Sequence, residues 1–228
     1  SLGSIAVSLR PDADGNYFLI YTVMRKAERT AYANLMRHSV SADGAKTPLT
    51  RDEHRNFGPA ITPGGKQVVY SSLQYSTRFR LWLMSVTGEG GPKIYGDPEG
   101  DVFWPDISAD GSKIVFTLFS TGTDRTRVWT VNADGTLARV LDEGREPKFN
   151  PAMKDSPDIL YIRRAENALR HQIWIMNAKG RLNRPIGQDV PERADVKNPG
   201  WSPDGKWVVF ASKEGKDRNG RHNWDIWI

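Results

Sequence analysis

An internal repeat constrains this chain more than any other feature. A triplet of apolar residues, ending in Tyr or Phe, recurs as Leu19-Ile20-Tyr21, Val68-Val69-Tyr70, Ile114-Val115-Phe116, Ile159-Leu160-Tyr161 and Val208-Val209-Phe210, at steps of 49, 46, 45 and 49 residues. A second register follows each triplet: Leu81-Trp82, Val128-Trp129, Ile173-Trp174 and Ile226-Trp227, with Arg37-His38 assigned the equivalent place in the first unit. A third precedes it: Pro59-Ala60-Ile61-Thr62, Pro105-Asp106-Ile107-Ser108, Pro147-Lys148-Phe149-Asn150 and Pro199-Gly200-Trp201-Ser202, with Val7-Ser8-Leu9-Arg10 first. Periods of this length signal an array or a radial assembly rather than a single irregular domain.

Each unit reads as four short antiparallel strands, A to D. The runs are rich in Val, Ile, Tyr, Phe and Trp, and turn residues break them every 8 to 15 positions. In the third unit the strands are expected at about 104–108, 113–118, 127–132 and 137–141, with the AB turn at Ala109-Asp110-Gly111 and the CD turn at Ala133-Asp134-Gly135. Asp and Gly tolerate the left-handed backbone that tight turns demand. Four strands cannot bury both of their faces alone, but several such sheets stacked around an axis can, so the fold class is all-β, a β-propeller. The blades are expected at about 5–50, 56–97, 102–142, 146–187 and 197–228, four complete and the fifth partial. On that packing the triplets and the strand C tryptophans fill the space between blades.

Trp201-Ser202-Pro203-Asp204-Gly205-Lys206, followed by Trp207-Val208-Val209-Phe210-Ala211-Ser212 and Asp225-Ile226-Trp227-Ile228, resembles the WD40-like Pro-Asp repeat of the TolB-like β-propellers. Weaker copies include 172–180 and 131–135; the fourth unit departs from the pattern, with 150–157 in place of the Ser-Pro-Asp-Gly turn. The resemblance implies a propeller of the bacterial periplasm or cell surface whose loops carry the partner contacts. The same repeat also occurs in the propellers of prolyl oligopeptidase-like peptidases and in oligogalacturonate lyases, so fold alone does not fix function. Because the fifth unit stops inside strand C, the natural protein is expected to continue past Ile228 to a ring of six or seven blades, or to receive a strand from another chain.

Composition narrows the chemistry. The 228 residues include no cysteine, which excludes disulfides, thiolate metal sites and thiol nucleophiles. Mean hydropathy is −0.56, and no apolar run approaches the roughly 18 residues that span a bilayer. No Gly-x-Ser-x-Gly elbow occurs; Gly200-Trp201-Ser202-Pro203-Asp204 comes nearest, and its serine falls in a repeat turn. His38, His54, His171 and His222 lie in separate units without metal-ligand spacing, although they could converge near an axis, where His54 would be the first candidate under a lyase reading. Asp12-Ala13-Asp14-Gly15-Asn16 resembles the start of a calcium loop but lacks the closing glutamate and reads as a turn. No catalytic residue, cofactor or metal is expected.

Charge supplies the one functional asymmetry. The formal net charge is +5. The BC loops carry Arg25, Lys26, Arg29, Arg78, Arg80, Arg125, Arg127, Arg163, Arg164, Arg170, Lys213, Lys216, Arg218 and Arg221 against Glu28, Asp124, Glu166, Glu214 and Asp217. All BC loops of a propeller open on one face. The DA loops share that face and hold Asp97, Glu99, Asp101, Asp142, Glu143 and Glu146, so a basic ring around a more acidic centre is expected. Such a ring suits a protein partner, an anionic glycan or a lipid head group. Nucleic acid is not expected, since Phe79 is the one aromatic among these arginines.

Overall fold

The Val-, Ile- and Tyr-rich runs form nineteen strands among the described residues of the computed structural model, which are 7–11, 15–26, 31–40, 44–89, 93–95, 100–123, 125–164, 171–186, 195–213 and 224–228. The first sheet contains β1 (Val7–Pro11), β2 (Tyr17–Lys26), β3 (Ala31–Ser39) and β4 (Lys46–Pro48). The second holds β5 (Asn56–Ile61), β6 (Gln67–Ser72), β7 (Arg80–Ser85) and β8 (Lys93–Tyr95). The third holds β9 (Asp101–Ile107), β10 (Lys113–Phe119), β11 (Thr126–Asn132) and β12 (Arg139–Glu143). The fourth holds β13 (Arg145–Phe149), β14 (Ile159–Arg164), β15 (His171–Met176) and β16 (Arg184–Ile186). The last has three strands, β17 (Asp195–Trp201), β18 (Val208–Lys213) and β19 (Asp225–Trp227). Within each sheet the strands pair in sequence order, all antiparallel. The first strands, β1, β5, β9, β13 and β17, pack side by side in that order and form the inner ring of a five-bladed propeller arrangement.

Four apolar clusters hold the blades together, one at each seam, and the triplets dictate how. The middle residue of each triplet faces the following blade, while its neighbours face the preceding one, because side chains alternate along a strand. Thus Ile20 packs with Val68 and Tyr70, Val69 with Ile114 and Phe116, Val115 with Ile159 and Tyr161, and Leu160 with Phe210. The tryptophans Trp82, Trp129, Trp174 and Trp227 all lie on the side facing the preceding blade. In the first blade the residue opposite Tyr21, where the other blades place Trp, is Met36. Arg37-His38 is therefore not the structural equivalent of Leu81-Trp82. The equivalent pair is Leu35-Met36, because the separation between the triplet and its strand C partner varies from blade to blade; His38 pairs with Leu19.

The inner strands share a kink. In blades two to five the residue before the repeat proline adopts a left-handed backbone: Gly58 (φ 61°), Trp104 (50°), Glu146 (55°) and Asn198 (52°). A break in strand register falls at each of these positions. Non-glycine residues rarely occupy this region. Its recurrence in successive blades marks a bulge built into the repeat, which bends the strand and re-aims its side chains. Side chains of the inner strands then tie one strand to the next: Ser8 Oγ accepts the Ile61 N–H at 3.1 Å, and Asp106 Oδ2, just beyond Pro105, accepts the Phe149 N–H at 2.8 Å.

Candidate binding face

Strand A begins on the side where strand B ends, so every BC loop opens on the same face as the connection into the next inner strand. The structure puts Arg78, Arg80, Arg125, Arg127, Arg163, Arg164 and Lys213 at that face, in or beside the BC loops of blades two to five. The backbones of Arg25 and Lys26 end β2 on the same side, with their side chains outside the described residues. Arg29, Arg170, Lys216, Arg218 and Arg221 lie outside the described residues altogether.

Several of these cations are held by the fold. Arg80 Nη1 donates to the Gly100 carbonyl at 2.9 Å, and Arg78 Nη1 donates to the Thr121 hydroxyl. Arg163 donates to Asp142 Oδ2 at 3.2 Å and stacks on Trp174, 4.9 Å from the ring centre. By contrast, the Arg125–Glu143 pair is 3.9 Å apart with both side chains well exposed, a geometry of little energetic weight that leaves the guanidinium available.

The acidic centre takes a different form from the one expected. Asp97 and Glu99 lie outside the described residues. Asp142 and Glu143 belong to β12, the strand farthest from the axis in its sheet, and Glu146 belongs to the inner strand β13. The cause is the length of the connection: Gly144 alone joins β12 to β13, so residues read as a loop are strand. Asp142 serves as a clasp between blades, its Oδ2 accepting Tyr161 Oη at 2.6 Å and Asn183 Nδ2 at 2.8 Å as well as Arg163. Burial first, and then the Asp142 carboxylate, push the Tyr161 hydroxyl far above its ordinary pKa. Asp101 Oδ1 accepts the Phe79 N–H at 2.8 Å, fixing the second BC loop against the third blade.

Aromatic rings and further cations stand where the acidic loops were expected. The residue before each bulge is Phe57, Phe103, Arg145 and Lys197 in blades two to five. The two phenylalanines join a half-buried cluster that spans blades two and three: Phe57 to Phe79 at 5.7 Å, Phe79 to Phe103 at 4.5 Å, Phe103 to Phe119 at 5.4 Å and Trp104 to Phe119 at 5.7 Å. Across the inner ring, Lys197 Nζ sits 3.6 Å from the centre of the Trp224 ring. This half of the site escaped the sequence reading, although a signal was present: all four residues stand two places before the repeat prolines.

Glu146 is the buried titratable group beside this site. Its Oε2 accepts the Asn198 N–H at 2.7 Å, linking the bulges of the fourth and fifth blades, and its Oε1 lies 3.6 Å from Arg145 Nε. Burial pushes its carboxyl above the ordinary glutamate range; the Asn198 N–H and the charges of Arg145, Lys148 and His171 offset only part of that. A carboxyl raised in the folded state contributes stability that is present below its unfolded value, about 4, and is lost as pH rises through the folded value. Glu146→Gln is therefore expected to flatten the pH dependence of stability above that point and to leave the chain at least as stable at neutral pH. Denaturation midpoints at a series of pH values check this.

The remaining candidates resolve into local roles. Ser202 donates to Asp204 Oδ1 at 2.6 Å and accepts the Trp207 N–H at 3.0 Å; Ser108 does the same with Asp110 and Lys113. In the fourth blade Asn150 takes over, accepting the Ala152 N–H and donating to the Gly205 carbonyl of the next blade. The His38 ring lies 6.4 Å from that of Tyr21, His54 lies 6.4 Å from Tyr75, and His171 Nδ1 is 2.9 Å from Asp195 Oδ1. His222 and 12–14 lie outside the described residues. Among the described residues no three His, Asp or Glu side chains gather as a metal set, and no helix is long and apolar enough to cross a membrane.

No protein-family model matches the chain. An uncharacterised peptidase of Bacillus subtilis, YuxL, is 23% identical over 204 residues, covering 88% of this chain and 28% of that protein. The crystal structure of TolB from Acinetobacter baumannii superposes with a TM-score of 0.70 at 16% identity, over 97% of this chain and 54% of TolB. An oligogalacturonate lyase in complex with manganese superposes with a TM-score of 0.57 at 14% identity, over 91% of this chain and 66% of the lyase. The chain spans about a quarter of the length of the curated relatives it matches. The fold is that of the TolB-like β-propellers.

Proposed function

We propose that this chain is a non-catalytic binding propeller of the bacterial cell envelope that docks an acidic protein or an anionic glycan on its BC-loop face. The observation that carries the reading is a juxtaposition. Exposed cations, Arg125 and Arg164 among them, share one face with a half-buried aromatic cluster of blades two and three. Cations steer an anionic partner over a Debye length, and a desolvated aromatic centre supplies the short-range affinity that a charged rim alone lacks. The envelope setting is what resemblance to the TolB-like propellers implies.

Charge reversal tests the face. Immobilised poly-L-glutamate serves as the probe, and two variants of equal charge are compared: Arg78→Glu with Arg125→Glu and Arg164→Glu on the BC face, and Lys66→Glu with Lys154→Glu and Lys206→Glu on the AB turns opposite. The first set is expected to weaken retention about tenfold at low salt and the second far less. Equal losses from both would reduce the ring to solubilising surface.

The alignment with the Bacillus peptidase favours a second reading, in which this segment is the propeller part of a larger peptidase. Its test lies in the gene: an α/β domain with a Gly-x-Ser-x-Gly elbow in the same reading frame supports it, and a reading frame without such a domain counts against it.

A further inference from the structure

On the face opposite the BC loops, the CD turns of the third and fourth blades are built alike. Asn132-Ala133-Asp134-Gly135-Thr136-Leu137 and Asn177-Ala178-Lys179-Gly180-Arg181-Leu182 stand one repeat apart. In each, the Asn N–H donates to the residue four places on and the Gly N–H donates back to the Asn carbonyl. Each then ends in a leucine with a left-handed backbone, Leu137 at φ 53° and Leu182 at φ 60°. These leucines are 77% and 81% exposed.

Nothing in the fold calls for leucine there. The left-handed region favours Gly, Asn and Asp and penalises bulkier side chains, and an exposed side chain recovers no packing in return. A single exposed leucine would need no explanation. Two, at the same strained position of adjacent blades, place an apolar pair on one rim. Cations flank the pair along the chain: Arg139, Lys179, Arg181 and Arg184 are all exposed, and Asp134 is the sole acidic residue of the two turns. Arg139 also joins the turns, donating to the Ala178 carbonyl at 3.1 Å and the Lys179 carbonyl at 3.3 Å.

We infer that this rim is a docking surface for an anionic lipid bilayer, with Leu137 and Leu182 entering the interface and the four cations holding the phosphate layer. Stable membrane attachment takes two signals, because a short apolar insertion is marginal alone and juxtamembrane cations act only near a negative surface. The rim carries both. It lies across the molecule from the BC face and does not depend on the function proposed for that face.

Co-sedimentation of the full chain tests the inference, using vesicles of phosphatidylcholine alone and vesicles of phosphatidylcholine with phosphatidylglycerol in equal parts. The wild-type chain is expected to bind the phosphatidylglycerol vesicles, to ignore the neutral ones, and to dissociate as salt rises. Leu137→Asn with Leu182→Asn is expected to weaken that binding about tenfold while its unfolding midpoint holds or rises, since asparagine suits the left-handed backbone. Arg181→Glu with Arg184→Glu is expected to remove the preference for anionic vesicles, and the BC-face variant to leave vesicle binding intact. Absence of binding to phosphatidylglycerol vesicles overturns the inference, as does a leucine double variant that binds like wild type. Capture of a protein that depends on both leucines, without vesicle binding, would make the rim a protein interface instead.

Discussion

Replacing Leu160 with alanine is expected to destabilise the chain by about 2–5 kcal/mol, whereas Val209→Ala costs less than about 0.5 kcal/mol, although both are the middle residue of their triplet. Leu160 is fully buried at the seam between the fourth and fifth blades, against Ile162, Ile173, Val196 and Phe210. Truncation there removes transfer energy and leaves a cavity between two sheets that cannot slide together, because their inner strands are tied by hydrogen bonds. Val209 occupies the same place one blade later, on the side that faces a following blade in every earlier unit, and is 37% exposed, with Ile226 beside it 79% exposed. Chemical denaturation of both variants measures the difference. A similar loss from each would mean that burial at the seams does not follow the triplet rule.

The Gly144→Ala variant is expected to lose at least about 3 kcal/mol, a cost out of proportion to one methyl group. Gly144 carries the whole connection between the third and fourth blades at φ 146°, a backbone that L side chains rarely adopt. A Cβ there would stand 2.5 Å from the Ile162 carbonyl oxygen and 2.8 Å from the Tyr161 ring, both in the interior of the next blade. Gly122→Ala is the control: its φ is 76° and a Cβ would meet nothing within 4 Å, so backbone strain of about 1–2 kcal/mol is the expected cost. Parity between the two variants would show that the blade junction yields more readily than its geometry implies.

The seams were legible in the sequence because they obey a local rule. Alternation along a strand, repeated at a fixed step, is enough to say that Val69, Val115 and Leu160 face one way and their neighbours the other. The first blade's Met36 was not legible, since hairpin length varies from blade to blade and shifts register without leaving a mark in composition. The roles of Asp142 and Glu146 were missed for a related reason: one glycine replaces a loop, and acids read as an acidic centre of loop residues became a clasp between blades and a buried carboxyl, while Glu143 stays exposed on the outer strand. The aromatic half of the binding face depends on contacts between Phe57, Phe79, Phe103 and Phe119, which come from two blades and four different strands or loops. No window along the chain contains them. The charged half was visible because the BC loops are contiguous in sequence and their common face follows from topology alone.

Amide hydrogen exchange, with and without soluble poly-L-glutamate at low salt, is the most direct test of the binding face. Protection is expected at the BC loops, 73–79 and 120–125, and around Gly144, with the AB and CD turns of the opposite face unchanged. Protection confined to those opposite turns, or spread evenly over both faces, would contradict a BC-face binding propeller.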